Sequence, residues 1–305
     1  MKSKKVYIIG SKGIPATYGG FETFLDKLVS CRVASIEYVI TGMGDESKEY
    51  QYNGARCVQF KTKNSVAGRT FHTLLALIFI YNDAKITNDK KILYVLGCRA
   101  GLFLWLGKKL IKKQNIKILV NPDGAEWKRA KWNILAKQIV KFCEQCLVAA
   151  ADVVICDAKA ILEIIHKDFN IEKSKLKFIA YGSDIYQDTK AVDDELGQKY
   201  REWLKSKEAS EQPYYLMVGR FVPENNFELI IREFMLSKTQ SNLIIISNVT
   251  NNKFYKTLSI KTDMKGDSRI KFVGTLYDQD LLKLVRARAT AYIHGHEVGV
   301  QTHHC

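Results

Sequence analysis

Two successive α/β halves are predicted for this 305-residue chain, and three observations carry the prediction. Short apolar runs of strand length alternate with segments of helical apolar spacing from Val6 to His294, the pattern of a mostly parallel sheet covered on both faces. A polar, aperiodic stretch over 186–192 interrupts that alternation. In each half the first strand runs into a loop suited to phosphate, over residues 10–20 in the first half and 219–226 in the second.

Residues 6–9, Val-Tyr-Ile-Ile, read as a buried strand, and Phe21, Phe24, Leu25, Leu28 and Val29 then recur at helical spacing. The loop between them holds Gly10, Gly13, Gly19 and Gly20, which do not have the Gly-x-Gly-x-x-Gly spacing of a dinucleotide site. Gly19 and Gly20 nevertheless let backbone come close to a phosphate, because glycine has no side chain to block the approach. Strands are predicted over 36–40, 55–60, 92–96, 116–121, 153–156 and 176–179, and helices over 70–81, 100–112, 131–149 and 158–168.

Ligands of such sheets bind beyond the carboxyl ends of the strands, which draws attention to the loop after 116–121. It reads Asn121-Pro122-Asp123-Gly124-Ala125-Glu126-Trp127-Lys128-Arg129-Ala130-Lys131-Trp132. Asp123 has the chemistry of a general base or an orienting carboxylate, Trp127 and Trp132 can stack on a sugar ring, and Lys128 and Arg129 can meet phosphate. A capped helix start with Trp127 in the core is the structural alternative.

In the second half strands are predicted over 214–218, 243–247, 270–273 and 291–294, and helices over 224–236, 253–260 and 278–287. Arg220 follows the first of these strands directly, so its guanidinium and the N–H groups of the next helix can grip an anion together. A solvated arginine in an ordinary turn is the alternative. Domains are expected over 1–184 and 213–305, with a linker and connecting helix over 185–212, and the two halves are expected to face each other across a cleft.

Hydrophobic content of 47% and charged content of 26% fit a globular protein. No apolar run approaches the roughly 20 residues of a membrane span, and no leader is evident, so a cytoplasmic location is expected. The net charge of +15 is concentrated: residues 1–180 carry 30 Lys and Arg against 16 Asp and Glu, residues 181–305 carry 17 against 16. A basic half attracts polyanions. Lys108, Lys109, Lys112 and Lys113 behind Leu102-Phe103-Leu104-Trp105-Leu106 suit an anionic membrane surface, with a core helix ending in solvated lysines as the alternative. No base-reading motif supports a nucleic-acid partner. Seven cysteines, an odd number, read as free thiols, and Cys143-Glu-Gln-Cys146 lies in a helical pattern without a second pair to complete a metal site.

Three ordered motifs, Gly19-Gly20-Phe21-Glu22, Asn121-Pro122-Asp123-Gly124 with Glu126-Trp127-Lys128-Arg129, and Gly219-Arg220-Phe221-Val222-Pro223-Glu224-Asn225-Asn226, resemble bacterial retaining glycosyltransferases of the GT-B fold. The resemblance runs from Val6 to about Gly299 and is nearest to polysaccharide rhamnosyltransferases with an N-terminal domain formerly of unknown function. It implies a GT-B fold of two Rossmann-like domains and transfer of a hexose, L-rhamnose from dTDP-rhamnose, in capsule, exopolysaccharide or O-antigen synthesis. The implied partners are a dTDP- or UDP-sugar donor, a polyprenyl-diphosphate-linked saccharide acceptor and the anionic inner face of the plasma membrane. No cofactor, metal or protein nucleophile is implied. Donor binding falls to Gly19, Gly20, Arg220, Glu224, Asn226 and Glu297; acceptor binding falls to Glu126, Trp127, Lys128 and Arg129. Asp123 stands where the broader family often has His, and is assigned an acceptor-site or orienting role. Asn226 stands where many relatives carry Lys.

The chain departs from the family after His296-Glu297-Val298-Gly299, where Gly-Thr-Asn-Pro-Ser-Leu would follow. It continues Val300-Gln301-Thr302-His303-His304-Cys305 instead. The possible codons of those six residues, shifted by one inserted nucleotide, include Gly, Thr, Asn, Pro, Ser and Leu in that order. A frameshift that leaves the second domain incomplete is therefore expected, and with it a chain that is unstable or inactive. Under that expectation the alternative function is a non-catalytic remnant that binds an anionic membrane or an assembly partner.

Overall fold

The computed structural model describes residues 4–16, 19–128, 132–182, 194–209 and 213–295. The chain divides into two compact units, with the boundary after Gly182. The first holds β1 (Lys4–Ile9), α1 (Gly20–Ser30), β2 (Ile36–Gly44), β3 (Lys48–Tyr52), β4 (Ala55–Lys61), α2 (Val66–Ala84), β5 (Lys91–Leu96), α3 (Gly101–Lys113), β6 (Ile116–Asn121), α4 (Ile134–Ala150), β7 (Val153–Cys156), α5 (Lys159–Phe169) and β8 (Leu176–Phe178). These strands form one sheet in the order β3-β4-β2-β1-β5-β6-β7-β8. Every pairing in it is parallel except the β3–β4 hairpin.

Alternating side chains of β1 serve two cores. Tyr7 and Ile9 pack with residues of α2, α3, α4 and α5 on one face, while Ile8 packs with Leu25 and Val29 of α1 on the other, as the two-residue period of a strand requires. A polar knot pins the larger core. The Tyr7 hydroxyl donates to Asp83 of α2 at 2.7 Å, and Asp83 also pairs with Arg56 of β4 at 2.7 Å and Lys5 of β1 at 3.3 Å.

The second unit holds α6 (Asp194–Ser206), β9 (Tyr214–Val218), α7 (Phe227–Leu236), β10 (Asn242–Ile246), α8 (Lys253–Lys261), β11 (Ile270–Gly274), α9 (Gln279–Arg288) and β12 (Ala291–Tyr292). Its sheet is parallel, in the order β11-β10-β9-β12. Tyr214, Leu216 and Ile244 face α6 and α9, while Met217, Leu243 and Ile245 face α7 and α8. Leu204 of α6 is part of this core, so the connecting helix is integral to the second unit.

Three of the differences from the predicted elements have evident local causes. Residues 48–52, for which no element is predicted, form the antiparallel β3, whose exposed Lys48, Glu49 and Gln51 hid it from a search for apolar runs. The helix predicted from residue 131 starts at Ile134, where the Asn133 side chain accepts from the Ala136 N–H at 2.9 Å. The helix predicted from residue 224 starts at Phe227, because Pro223–Asn225 forms a 3₁₀ turn.

Candidate functional site

Strand order reverses between β1 and β5, since β2 and β4 lie on one side of that pair and β6, β7 and β8 on the other. Open α/β sheets bind ligands at such a switch point. The loops leaving β1 and β5 meet there. A Cβ on Gly10 would lie 1.9 Å from the Leu96 carbonyl oxygen, so the loop after β1 passes directly over the end of β5.

That loop is held from beneath. Oε1 of the buried Glu22 accepts the Lys12 N–H at 2.6 Å, and Oδ2 of Asp26 accepts the Ala16 N–H at 3.1 Å. Gly19 has φ of 124°, and a Cβ there would collide with the Glu22 carboxylate at 2.0 Å. The position requires glycine. Gly20 is different: it opens α1 with open space where a Cβ would be. Of the glycine pair, one shapes the loop and the other leaves room beside a helix N-terminus.

After β6, Asp123 adopts a left-handed conformation with φ of 70°. Its N–H donates to Oδ1 of Asn121 at 2.9 Å, and Nδ2 of Asn121 donates to the Tyr181 hydroxyl at 3.1 Å. Trp127 is neither core nor free surface. Its ring is half-buried, with the Lys141 and Lys128 ammonium groups 4.5 Å and 5.0 Å from its centroid. Lys128 also pairs with Asp168 at 3.7 Å. Glu126 is likewise half-buried and shares the 3₁₀ turn Glu126–Lys128 with them. Arg129 lies outside the described residues.

Beneath this loop sits a residue that sequence reasoning passed over. Glu144 of α4 is 1% exposed, and neither carboxyl oxygen has a hydrogen-bond partner among the described residues. Burial, and then the charges of Asp123, Glu126 and Asp168, push its carboxyl up to about 8, so it is largely protonated at neutral pH. The clue was its register: Glu144 precedes the buried Leu147 and Val148 by three and four residues, on the face α4 turns to the core. Burial also raises the carboxyl of Asp157, just past β7, and leaves its Oδ1 without a hydrogen-bond partner among the described residues. Asp123 and Glu126 thus stand in the loop after β6 and Asp157 just past β7, with Glu144 buried behind them on α4.

In the second unit, Arg220 follows β9 and Gly219. Its side chain is exposed and has no hydrogen bond or ion pair among the described residues. The backbone around it is fixed: Nδ2 of Asn225 donates to the Arg220 carbonyl, and Nδ2 of Asn252 donates to the Phe221 carbonyl, each at 2.7 Å. The Phe221 ring stacks on Phe227 with centroids 4.3 Å apart, anchoring the loop in the core. Asn226, at φ 52°, precedes α7 without capping it by its side chain. Its Nδ2 instead donates to the Gly295 carbonyl at 2.8 Å, so the amide braces a loop. Glu224 is buried in the 3₁₀ turn. The loop thus carries an exposed guanidinium and leads into a helix start that no side chain caps, features of the kind that attract anions.

Among the described residues no group of three His, Cys, Asp or Glu could hold a metal ion, and Cys143 and Cys146 are free thiols whose pKa burial raises. Glu297, His296, His303, His304 and Cys305 lie outside the described residues.

Residues 3–184 match the family described as Domain of unknown function (DUF1972). The chain belongs to that family. No curated protein matches the chain. Solved structures resemble this DUF1972 protein over nearly its whole length. Sucrose-phosphate synthase from Thermosynechococcus elongatus superposes with a TM-score of 0.75 at 13% identity, covering 98% of this chain and 77% of that one. An α,α-trehalose-phosphate synthase (UDP-forming) from Burkholderia vietnamiensis gives 0.68 at 10%, covering 99% and 80%. Anabaena Alr3699/HepE, solved in complex with UDP and glucose, gives 0.64 at 15%, covering 96% and 74%. At such identities the comparison establishes the fold: the DUF1972 protein has the Rossmann-like units of the GT-B glycosyltransferases.

Proposed function

We propose that the protein is a glycosyltransferase that takes a hexose from a nucleotide sugar and delivers it to a lipid-linked saccharide, with dTDP-L-rhamnose as the donor. The observation that carries this reading is Arg220, an unpaired guanidinium on a braced loop at the start of α7. A diphosphate leaving group needs positive charge that is in place before the bond breaks. Arg220 and the first N–H groups of α7 supply it without a metal ion. The first unit has, by itself, open space at Gly20 where a phosphate can approach the start of α1. Asp123, Glu126 and Trp127 receive the acceptor sugar, Trp127 offering a ring face and the carboxylates accepting from hydroxyls.

Donor-induced thermal stabilisation tests the reading. Wild-type protein is expected to gain several degrees with dTDP-rhamnose at a hundredfold excess over Kd and less with UDP-glucose. Arg220→Ala should lose most of the gain while keeping its ligand-free Tm. Equal melting with and without every nucleoside diphosphate sugar would overturn the proposal, and preference for a UDP-sugar would overturn the choice of donor.

A further inference from the structure

We infer that the outer surface of α3 and α4 is a docking face for an anionic lipid bilayer. Both helices belong to the layer that covers one side of the first unit's sheet, with Leu104 and Ile111 of α3 and Leu147 and Val148 of α4 in the same core. They pack closely: a Cβ on Gly101 would strike the Cys143 carbonyl oxygen at 1.8 Å, and Lys108 reaches across to the Ala149 carbonyl at 3.0 Å. What the two helices do not bury is therefore the outside of one layer.

That outside is apolar in an unusual degree. Trp105, Leu106 and Leu110 of α3 are 50%, 66% and 51% exposed; Leu135, Ile139 and Phe142 of α4 are 71%, 55% and 52% exposed. The α4 residues recur at i, i+4 and i+7, a stripe along one side of a helix whose opposite side is the core. Scattered exposed hydrophobics are ordinary, whereas six on two packed helices call for a partner.

Charge identifies the partner. Four lysines and no acid stand on α3; Lys137 and Lys141 stand on α4, whose one acid, Glu144, is buried. Lys109, Lys113 and Lys137 have no hydrogen bond or ion pair among the described residues. Interleaved large apolar side chains and uncompensated lysines match a bilayer, which offers acyl chains just beneath phosphate head groups. A nucleic acid would satisfy the lysines and leave the leucines wet.

The face joins the candidate acceptor loop directly. Lys141, between Ile139 and Phe142, lies over the Trp127 ring. A bilayer held against α4 would bring head groups to the loop of Asp123, Glu126 and Trp127, and so would present a membrane-borne acceptor there. The docking itself rests on α3 and α4 alone and stands apart from the sugar-transfer reading.

Cosedimentation of the full chain with vesicles tests it. Binding is expected to vesicles of phosphatidylglycerol and phosphatidylcholine, to weaken at least tenfold without phosphatidylglycerol, and to fall with added salt. A blue shift of Trp fluorescence, absent from Trp105→Phe, would locate α3 in the bilayer. Leu106→Glu with Leu135→Glu should abolish binding, and Lys109→Glu with Lys113→Glu should reduce it at least tenfold. Both variants must keep the wild-type Tm and donor-induced shift, which separates failure of docking from failure of the sugar-transfer reading. Equal binding to neutral vesicles, undiminished binding by both variants, or a stable dimer that Leu106→Glu dissociates would overturn the inference.

Discussion

The carboxylate of Glu22 accepts the Lys12 N–H at 2.6 Å across a turn in which Gly19, at φ 124°, leaves it just enough room. The first turn of α1 thereby reaches back and fixes the loop that leaves β1. Gly19→Ala is expected to lose about 1–3 kcal/mol of stability, from left-handed strain and displacement of Glu22. Gly20→Ala should fold normally, since nothing lies within 4 Å of its missing Cβ, and should instead weaken phosphate binding at the start of α1 by filling the approach. Denaturant melts and phosphate titrations on the two variants check the contrast, and reversed effects would refute it.

Glu144 makes stability depend on pH in an unusual sense. Its carboxyl is raised to about 8 from 4.5, so between those values the folded protein holds a proton that the unfolded chain has released. Stability attributable to this group therefore falls as pH rises from about 4.5 to about 8 and is constant beyond. Glu144→Gln cannot ionise, and should gain on the order of a few kcal/mol relative to wild type at pH 8.5 but little at pH 4. Urea melts at the two pH values measure the difference. A gain that does not change with pH would show that Glu144 is not protonated in the fold.

Asp83 gives the opposite slope. Burial alone would raise its carboxyl, but hydrogen bonds from Tyr7 and Arg56 and the Lys5 charge outweigh it and hold the group below the ordinary value. Its contribution is present above the unfolded-state value of 3.8 and disappears as pH falls through the lower folded-state value. Asp83→Asn should cost about 3 kcal/mol at pH 7 by leaving Arg56 and Lys5 without their shared carboxylate, and the penalty should shrink toward pH 3. A thermal melt series across that range checks it.

Much of this architecture was legible in the sequence because apolar runs such as 6–9, 116–121 and 214–218 are long enough to bury both faces of a parallel strand. β3 escaped because an exposed edge strand needs no apolar run. The residues proposed for the site stand in loops that follow strands, as Gly19, Asp123 and Arg220 do, and such loops are visible in the sequence as polar breaks after apolar runs. Glu144 was not legible, because a buried carboxyl on a helix is distinguished by what surrounds it in space, and its neighbours Asp123 and Asp168 come from other elements. Asn226 differs again: the resemblance implies a donor-binding role for it, and the structure adds a bracing contact no sequence shows, from its Nδ2 to the Gly295 carbonyl.

The hairpin partner β3 has a consequence for life at high concentration. It runs against its neighbour, is five residues long, and presents Lys48, Glu49 and Gln51 to water. Open margins of β-sheets recruit further strands from other molecules, and short charged margins discourage it. Residues 48–52 therefore act as a guard against fibrous self-assembly on that flank, a duty unrelated to any substrate.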